Sequence, residues 1–212
     1  MKKKYKILLT ITVILILILG GLFVYTKFFK KTNPNTPVNT IKVTNTIDKY
    51  GYTLEDRDTE LFKEKFEELK TLLNEDDFDK EEYVKLISEL FIIDLYTIDN
   101  KLSRYDIGGL EYVYSNAQAS LKTVVESSIY KTVENNLDNT RTQSLPEVSD
   151  ISVDDISEYD YTMPDDTEVS GYRVKLSWTY KTNMGYDTKG TLVLIPDGEK
   201  YGVVYFNSWI NN

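Results

Sequence analysis

Apolar residues follow three patterns along the chain: one unbroken run, then helical spacing, then strand alternation. The run from Ile7 to Thr26 contains no charged residue and is long enough for a helix that crosses the hydrocarbon core of a bilayer. Four lysines precede it and three follow it within residues 27–31. The run lacks a small-residue cleavage site, and the chain has no cysteine for lipid attachment, which favours a retained anchor over a cleaved signal peptide.

This pattern predicts a single-pass protein of the cell membrane. We expect a cytoplasmic head (1–6), a transmembrane helix (7–26), a basic flank with a Pro/Asn/Thr-rich linker (27–44) and an extracytoplasmic domain (45–212). Lysines flank both ends of the span, so the positive-inside rule favours a cytoplasmic N-terminus by only a small margin. The head is too short to fold, so we place the working domain after the span and outside the cell.

The first half of the domain has helical periodicity, and we predict helices within about 54–135. Helix one, about 54–73 with Thr53 as its cap, has an apolar face of Phe62, Phe66, Leu69 and Leu73. Helix two, about 80–98, follows a capping-box pattern that starts at Asp79. Its second half is apolar nearly all round, so it should be the most buried helix.

A loop over 99–110 should lead into helix three, about 116–135, after a second capping-box pattern at Ser115. The predicted inward positions of helix three are Ala117, Leu121, Val124, Val125, Ile129 and Val133.

The pattern changes to a period of two over about 148–209, which predicts strands. The spacing of Ile151, Val153 and Ile156 indicates the first strand. Tyr172 to Tyr180 alternates strictly between apolar and polar residues and is the clearest strand, with one buried and one wet face. Two more strands follow, the last opened by Tyr201, Val203 and Tyr205, and the second to fourth strands should form a meander.

Composition excludes several classes of function. The first 31 residues hold seven lysines and no acid, so the rest has 18 basic and 34 acidic side chains, a net charge of −16. Such a surface repels phosphates, which argues against nucleic-acid binding. Without cysteine or histidine there is no thiol or Ser-His-Asp catalysis, and the acidic segment 74–82 lacks the ligand pattern of a calcium loop. We therefore expect no metal and no cofactor.

Helices followed by an antiparallel meander define an α+β class, with helices on one face of a curved sheet of about four strands. This element order over 45–208 resembles the NTF2-like, cystatin-like superfold. The head, span and linker make the whole chain similar to VirB8-type conjugation-channel proteins. The resemblance implies a place in a secretion or conjugation assembly. Some NTF2-like relatives are isomerases or dehydratases that use Asp or His in a cone-shaped pocket, and this chain has no His.

Asp94 is the first candidate site residue, because a carboxylate within the most apolar helix must be paired, hydrogen-bonded or shifted in pKa. One interpretation is a base or ligand anchor at the floor of a pocket. The other is a structural pair with Lys101 or Arg104, or hydrogen bonds to nearby backbone, and we favour this one.

The loop from Arg104 through Tyr105 and Asp106 to Gly108 and Gly109 is the second candidate. Its glycines permit backbone angles that other residues avoid. It is either a loop over a pocket mouth or an interface, or a tight connection into helix three, which we favour. It lacks the strand and helix that flank a phosphate-binding loop.

Two main functions remain. The leading hypothesis is a non-enzymatic membrane-anchored domain that binds other envelope proteins or itself. The alternative is a small-ligand pocket or a carboxylate-based enzyme centred on Asp94. A filled core with an aromatic patch outside favours the first, and an open cone that reaches Asp94 favours the second. A polysaccharide binder would need aromatic side chains on the wet face, whereas spacing places most tyrosines on the inner face and leaves Trp209 undecided.

Overall fold

A computed structural model of the protein describes residues 39–209. This part of the chain is an α+β fold with three α-helices, a β-hairpin and a curved four-stranded antiparallel sheet. The predicted head, the run from Ile7 to Thr26 and the linker as far as Val38 lie outside the described residues. Within residues 39–209, no helix is both long and apolar enough to cross a membrane.

A β-hairpin precedes the first helix. Strand β1 (Val43–Ile47) pairs antiparallel with β2 (Tyr52–Glu55), and Gly51 adopts a φ of 69° at the turn between them. The apolar side chains of β2 alternate inward and are buried. The predicted start of helix one near residue 54, with Thr53 as its cap, is therefore wrong, because this segment pairs as a strand.

The first two helices begin at side-chain caps. Helix α1 (Glu60–Leu72) starts after Thr59, whose side-chain oxygen accepts a hydrogen bond from an N–H of the first turn. Helix α2 (Lys80–Tyr96) starts after Asp79, which accepts from two N–H groups and confirms the predicted capping position. Twelve of the 17 side chains of α2 are buried, so this helix lies at the centre of the core, as predicted.

Helix α3 (Gln118–Ser127) is much shorter than the predicted helix over 116–135. The N–H and hydroxyl of Ser115 both donate to the Asp197 carboxylate, so Ser115 ties the helix start to the sheet instead of capping it. Val125 is buried as predicted, but Val124 is 60% exposed, and its predicted inward position is wrong.

The sheet is a four-stranded meander in sequence order. Its strands are β3 (Val148–Thr162), β4 (Glu168–Tyr180), β5 (Lys189–Asp197) and β6 (Lys200–Trp209). Each strand pairs antiparallel with the next, which confirms the predicted meander and extends it to the first strand. Strands β3 and β6 are therefore the two edges.

A β-bulge explains the irregular apolar spacing of β3. The pairing with β4 shifts by one residue between Val153 and Asp155, so Ile156 lies opposite Val174 on the inner face of the sheet. Ile151 and Val153 lie on the same face, which packs against the helical core. A strict period of two would have turned Ile156 outward.

A register shift between β5 and β6 reverses the face on which the end of β6 presents its aromatic residues. Leu194 of β5 pairs with Val203, but Val193 pairs with Tyr205, so Val204 is an extra residue on β6. Val203 belongs to the core and Tyr205 points to the outer face, 47% exposed. The inner face packs on α2 through close ring contacts of Phe91 with Phe206 and of Tyr96 with Trp178, at centroid distances of 5.4 and 5.1 Å.

Candidate functional site

Three of the six predicted site residues line a cleft between β2, the second half of α2 and the loop that follows it. The cleft has a volume of about 270 Å³. Asp94, Asp106 and Gly108 line it, and Gly109 follows Gly108 directly, whereas Arg104 and Tyr105 are not among its lining residues. The other lining residues are Thr53, Glu55, Arg57, Asp58, Phe62, Ile107, Leu110 and Glu111.

Asp94 is held by two partners on the loop. Its Oδ1 accepts from the Lys101 ammonium, and its Oδ2 accepts from the Gly109 N–H at 2.5 Å. Lys101 is only 1% exposed, so Asp94 is the counterion of a buried ammonium group. The structural interpretation of Asp94 is therefore the one that the geometry supports. Arg104, the other predicted partner, lies with its guanidinium 4.8 Å from the centroid of the Tyr105 ring.

The two glycines allow the loop to pack directly against α2. A Cβ atom on Gly108 would lie 2.1 Å from the carbonyl oxygen of Asp94. Gly109 has a φ of 79°, and a Cβ atom there would lie 2.9 Å from the Phe91 ring. The segment is tightly packed on α2, but it leads into a 3₁₀ turn (Leu110–Tyr112), and α3 begins only at Gln118, so it does not connect directly into helix three.

Arg57 anchors the other side of the loop. Its guanidinium donates to both carboxylate oxygens of Asp106, and its Nε donates to Glu55 at 2.7 Å. Burial acts to raise the pKa of Asp106, but Arg57 and the Leu102 N–H hold that pKa below its usual range. The sequence offered no signal for Arg57, because it lies 49 positions before Asp106.

Two further carboxyl groups in the cleft have raised pKa values. Burial raises the pKa of Asp58 to about 6. The hydrogen bond that its carboxylate accepts from the Glu55 N–H, at 2.7 Å, acts in the opposite direction and lowers this pKa. Burial likewise raises the pKa of Glu111 to about 7, although the N–H and hydroxyl of Thr53 donate to it. The Asp94 charge adds to both shifts.

These shifts predict that the domain is more stable in mild acid. Between pH about 4 and 7 the folded state keeps protons on Asp58 and Glu111 that the unfolded chain has lost, so the free energy of unfolding falls as the pH rises. For Asp58 the expected loss is about 3 kcal/mol between pH 4 and 8. The check is chemical unfolding of the full-length protein at pH 4 and pH 8.

The Asp58→Asn variant is the matched control, because asparagine keeps an oxygen for the Glu55 N–H and cannot ionise. It should be more stable than the wild type at pH 8 and nearly equal to it at pH 4, close to the pKa of the aspartate in the unfolded chain. If the variant is less stable than the wild type by the same amount at both pH values, the raised pKa of Asp58 is wrong.

The cleft is chemically better suited to joining segments than to binding a ligand. Two of its carboxylates are already paired, Asp106 with Arg57 and Asp94 with Lys101. Within residues 39–209, no group of three or more Asp or Glu side chains is arranged to hold a metal ion. Asp58 and Glu111 retain titratable protons near neutral pH, but each is also tied to the backbone of β2.

A second concave surface, which we name the aromatic groove, lies on the outer face of the sheet. It has a volume of about 510 Å³ and spans all four strands. Trp209 is 41% exposed there, and the Arg173 guanidinium lies 3.7 Å from the centroid of the Tyr159 ring. The groove is lined by Tyr159, Tyr161, Arg173, Thr191, Val193, Tyr205, Asn207 and Trp209.

The sequence did not predict the aromatic groove. Strict alternation through the last strand would group Tyr205 with Val203 on the inner face, and the extra residue Val204 reverses this. The sequence predicted a wet face without aromatic residues, and this holds for β4, which presents Arg173 and Lys175 outward. The aromatic side chains of the outer face come instead from the two edge strands, β3 and β6. The sequence signal for this groove was the spacing of Tyr205, Asn207 and Trp209, which occupy every second position and therefore share one face of the last strand.

The chain matches no protein-family model, no curated protein and no solved structure. Its function is therefore inferred from the geometry of the described residues.

Proposed function

We propose that the protein is a membrane-anchored extracytoplasmic domain that binds other proteins as a scaffold in a cell-envelope assembly. The aromatic groove is the observation that carries this proposal. Tyrosine and tryptophan provide large contact areas with a polar end and are enriched where proteins bind one another. Tyr205 and Trp209 remain 47% and 41% exposed although the domain has a well-filled aromatic core.

The membrane anchor in this proposal is the uncharged run from Ile7 to Thr26. A retained span would leave the N-terminus in the cytoplasm and the acidic domain outside. The NTF2-like architecture and the VirB8-type arrangement are part of the same proposal and are supported by the order of helices and meander strands. A secretion or conjugation channel is the kind of assembly that such a layout would suit.

The alternative, a ligand pocket or enzyme centred on Asp94, has less support. A cavity does reach Asp94, but charged residues that pair with each other line much of it, and it is not an apolar cone with a free carboxylate. The side chain of Asp94 has the contacts of a structural ion pair. The scaffold therefore remains our first proposal.

Site-specific photo-cross-linking in native cells tests it. A photoreactive residue at Asn207, inside the aromatic groove, should cross-link the protein to a different polypeptide, whereas one at Glu64 on the exposed face of α1 should not. The Trp209→Ser variant should lower the yield of cross-linked product about tenfold, because a partner's contact with the indole is lost.

Exposed aromatic side chains also bind sugars, so purified cell-wall material is the competing target. Cross-links only to glycan, only to a second copy, or equal at both positions would overturn the proposal.

A further inference from the structure

The two edges of the sheet differ sharply in how they are protected against pairing with another strand. Edge strand β3 carries five acidic residues and two register shifts, both of which discourage the addition of a strand. In the other edge strand, β6, residues 203–209 contain no charged residue, no proline and no glycine. An edge of this kind offers its backbone groups to an incoming strand.

Only the start of this uncharged segment is covered within the described residues. Val203 forms a parallel bridge with Val113, and its carbonyl accepts from the Tyr114 N–H at 3.0 Å. Beyond that point, no strand within residues 39–209 pairs with the outer side of β6. Residues 204–209 are therefore an open edge in this part of the chain.

An apolar groove runs beside the open edge. It has a volume of about 230 Å³ and lies between α3 and β6, with no charged residue in its lining. Val124 of α3, 60% exposed, lies at this groove together with Leu121. A strand added to β6 would point alternate side chains toward this groove and the others toward the outer face, where Tyr205 and Trp209 lie.

Charge indicates which chain would occupy the edge. The part of the chain after residue 31 has a net charge of −16, so two copies repel each other. The groove itself is uncharged, so it accepts apolar side chains. An extended segment with alternating apolar residues, and basic or uncharged residues between them, complements both features.

We propose that the partner binds by strand addition: an extended segment of another protein pairs with residues 204–209 of β6 as a fifth strand. This inference rests on the proposed protein-binding function and names how the partner is held. Backbone hydrogen bonds to β6 provide affinity, and the apolar groove beside α3 selects the alternating side chains.

The test uses the full-length protein in nanodiscs and a displayed library of nine-residue peptides. Alternate positions hold Val, Ile or Leu, and the positions between them hold Lys, Arg, Ser or Thr. Peptides should be enriched on the wild type, and Val124→Lys should weaken their binding at least about tenfold, because it places a charge at the groove. Thr123→Lys, one residue earlier on the same exposed helix and outside the groove, is the matched control and should bind as the wild type does.

Backbone methylation separates strand addition from side-chain docking. Each selected peptide is made with N-methyl groups along one backbone edge or along the other. Methylation of the edge that faces β6 should abolish binding, and methylation of the opposite edge should preserve it.

Equal binding of the two methylated forms, or no enrichment from the library, overturns the inference. So does concentration-dependent dimerisation that Val124→Lys abolishes, since the occupant would then be a second copy. If the peptide experiment fails in one of these ways but Asn207 still cross-links to another protein, only the strand-addition inference is wrong. If Asn207 gives no cross-link to another protein, the scaffold function itself is contradicted.

Discussion

Replacing Asp94 with alanine should lower the free energy of unfolding by about 3–5 kcal/mol, because it leaves the Lys101 ammonium buried without its carboxylate. The variant also removes the acceptor of the Gly109 N–H, so the loop loses its bond to α2. Chemical unfolding of the full-length protein measures the loss.

Two comparisons separate the buried charge from other effects. Asp94→Leu combined with Lys101→Met removes both charges and should restore much of the loss, since an uncharged pair leaves no ion unpaired. Glu82→Ala breaks a more exposed pair with Lys85 on the same helix and should cost less than about 1 kcal/mol. If Asp94→Ala costs no more than Glu82→Ala, the structural assignment of Asp94 is wrong.

Gly108→Ala should destabilise the domain by about 3 kcal/mol or more, because its Cβ would overlap the main chain of α2. The nearest atom, the carbonyl oxygen of Asp94, would lie 2.1 Å away and belongs to a buried helix that cannot move aside. The displaced loop would also carry Asp106 away from Arg57.

Gly51→Ala is the control for backbone conformation. Gly51 has a φ of 69°, and no atom would lie within 4 Å of an added Cβ. Its substitution should therefore cost only about 1–2 kcal/mol for the left-handed backbone. A Gly108→Ala variant as stable as Gly51→Ala would show that the loop does not pack as closely on α2 as the structure indicates.

The candidate site was only partly predictable from the sequence. An aspartate in an apolar helix was enough to predict a structural partner among Lys101, Arg104 and the nearby backbone, and the structure selects Lys101 and the Gly109 N–H. Arg57 and Glu111 could not be found in the same way. They approach Asp106 and Thr53 from distant positions, and the hairpin that carries Thr53 was itself taken for a helix start.

The same division holds for the fold and for the binding surfaces. Local periodicity determined the class, the central helix α2 with its cap at Asp79, and the meander, because side-chain period and capping depend on near neighbours. Only the tertiary structure decided that Val204 is an extra residue and that Val124 faces outward. Register and helix length are set by pairing and packing with distant strands, and a shift of one residue moves every following side chain to the other face.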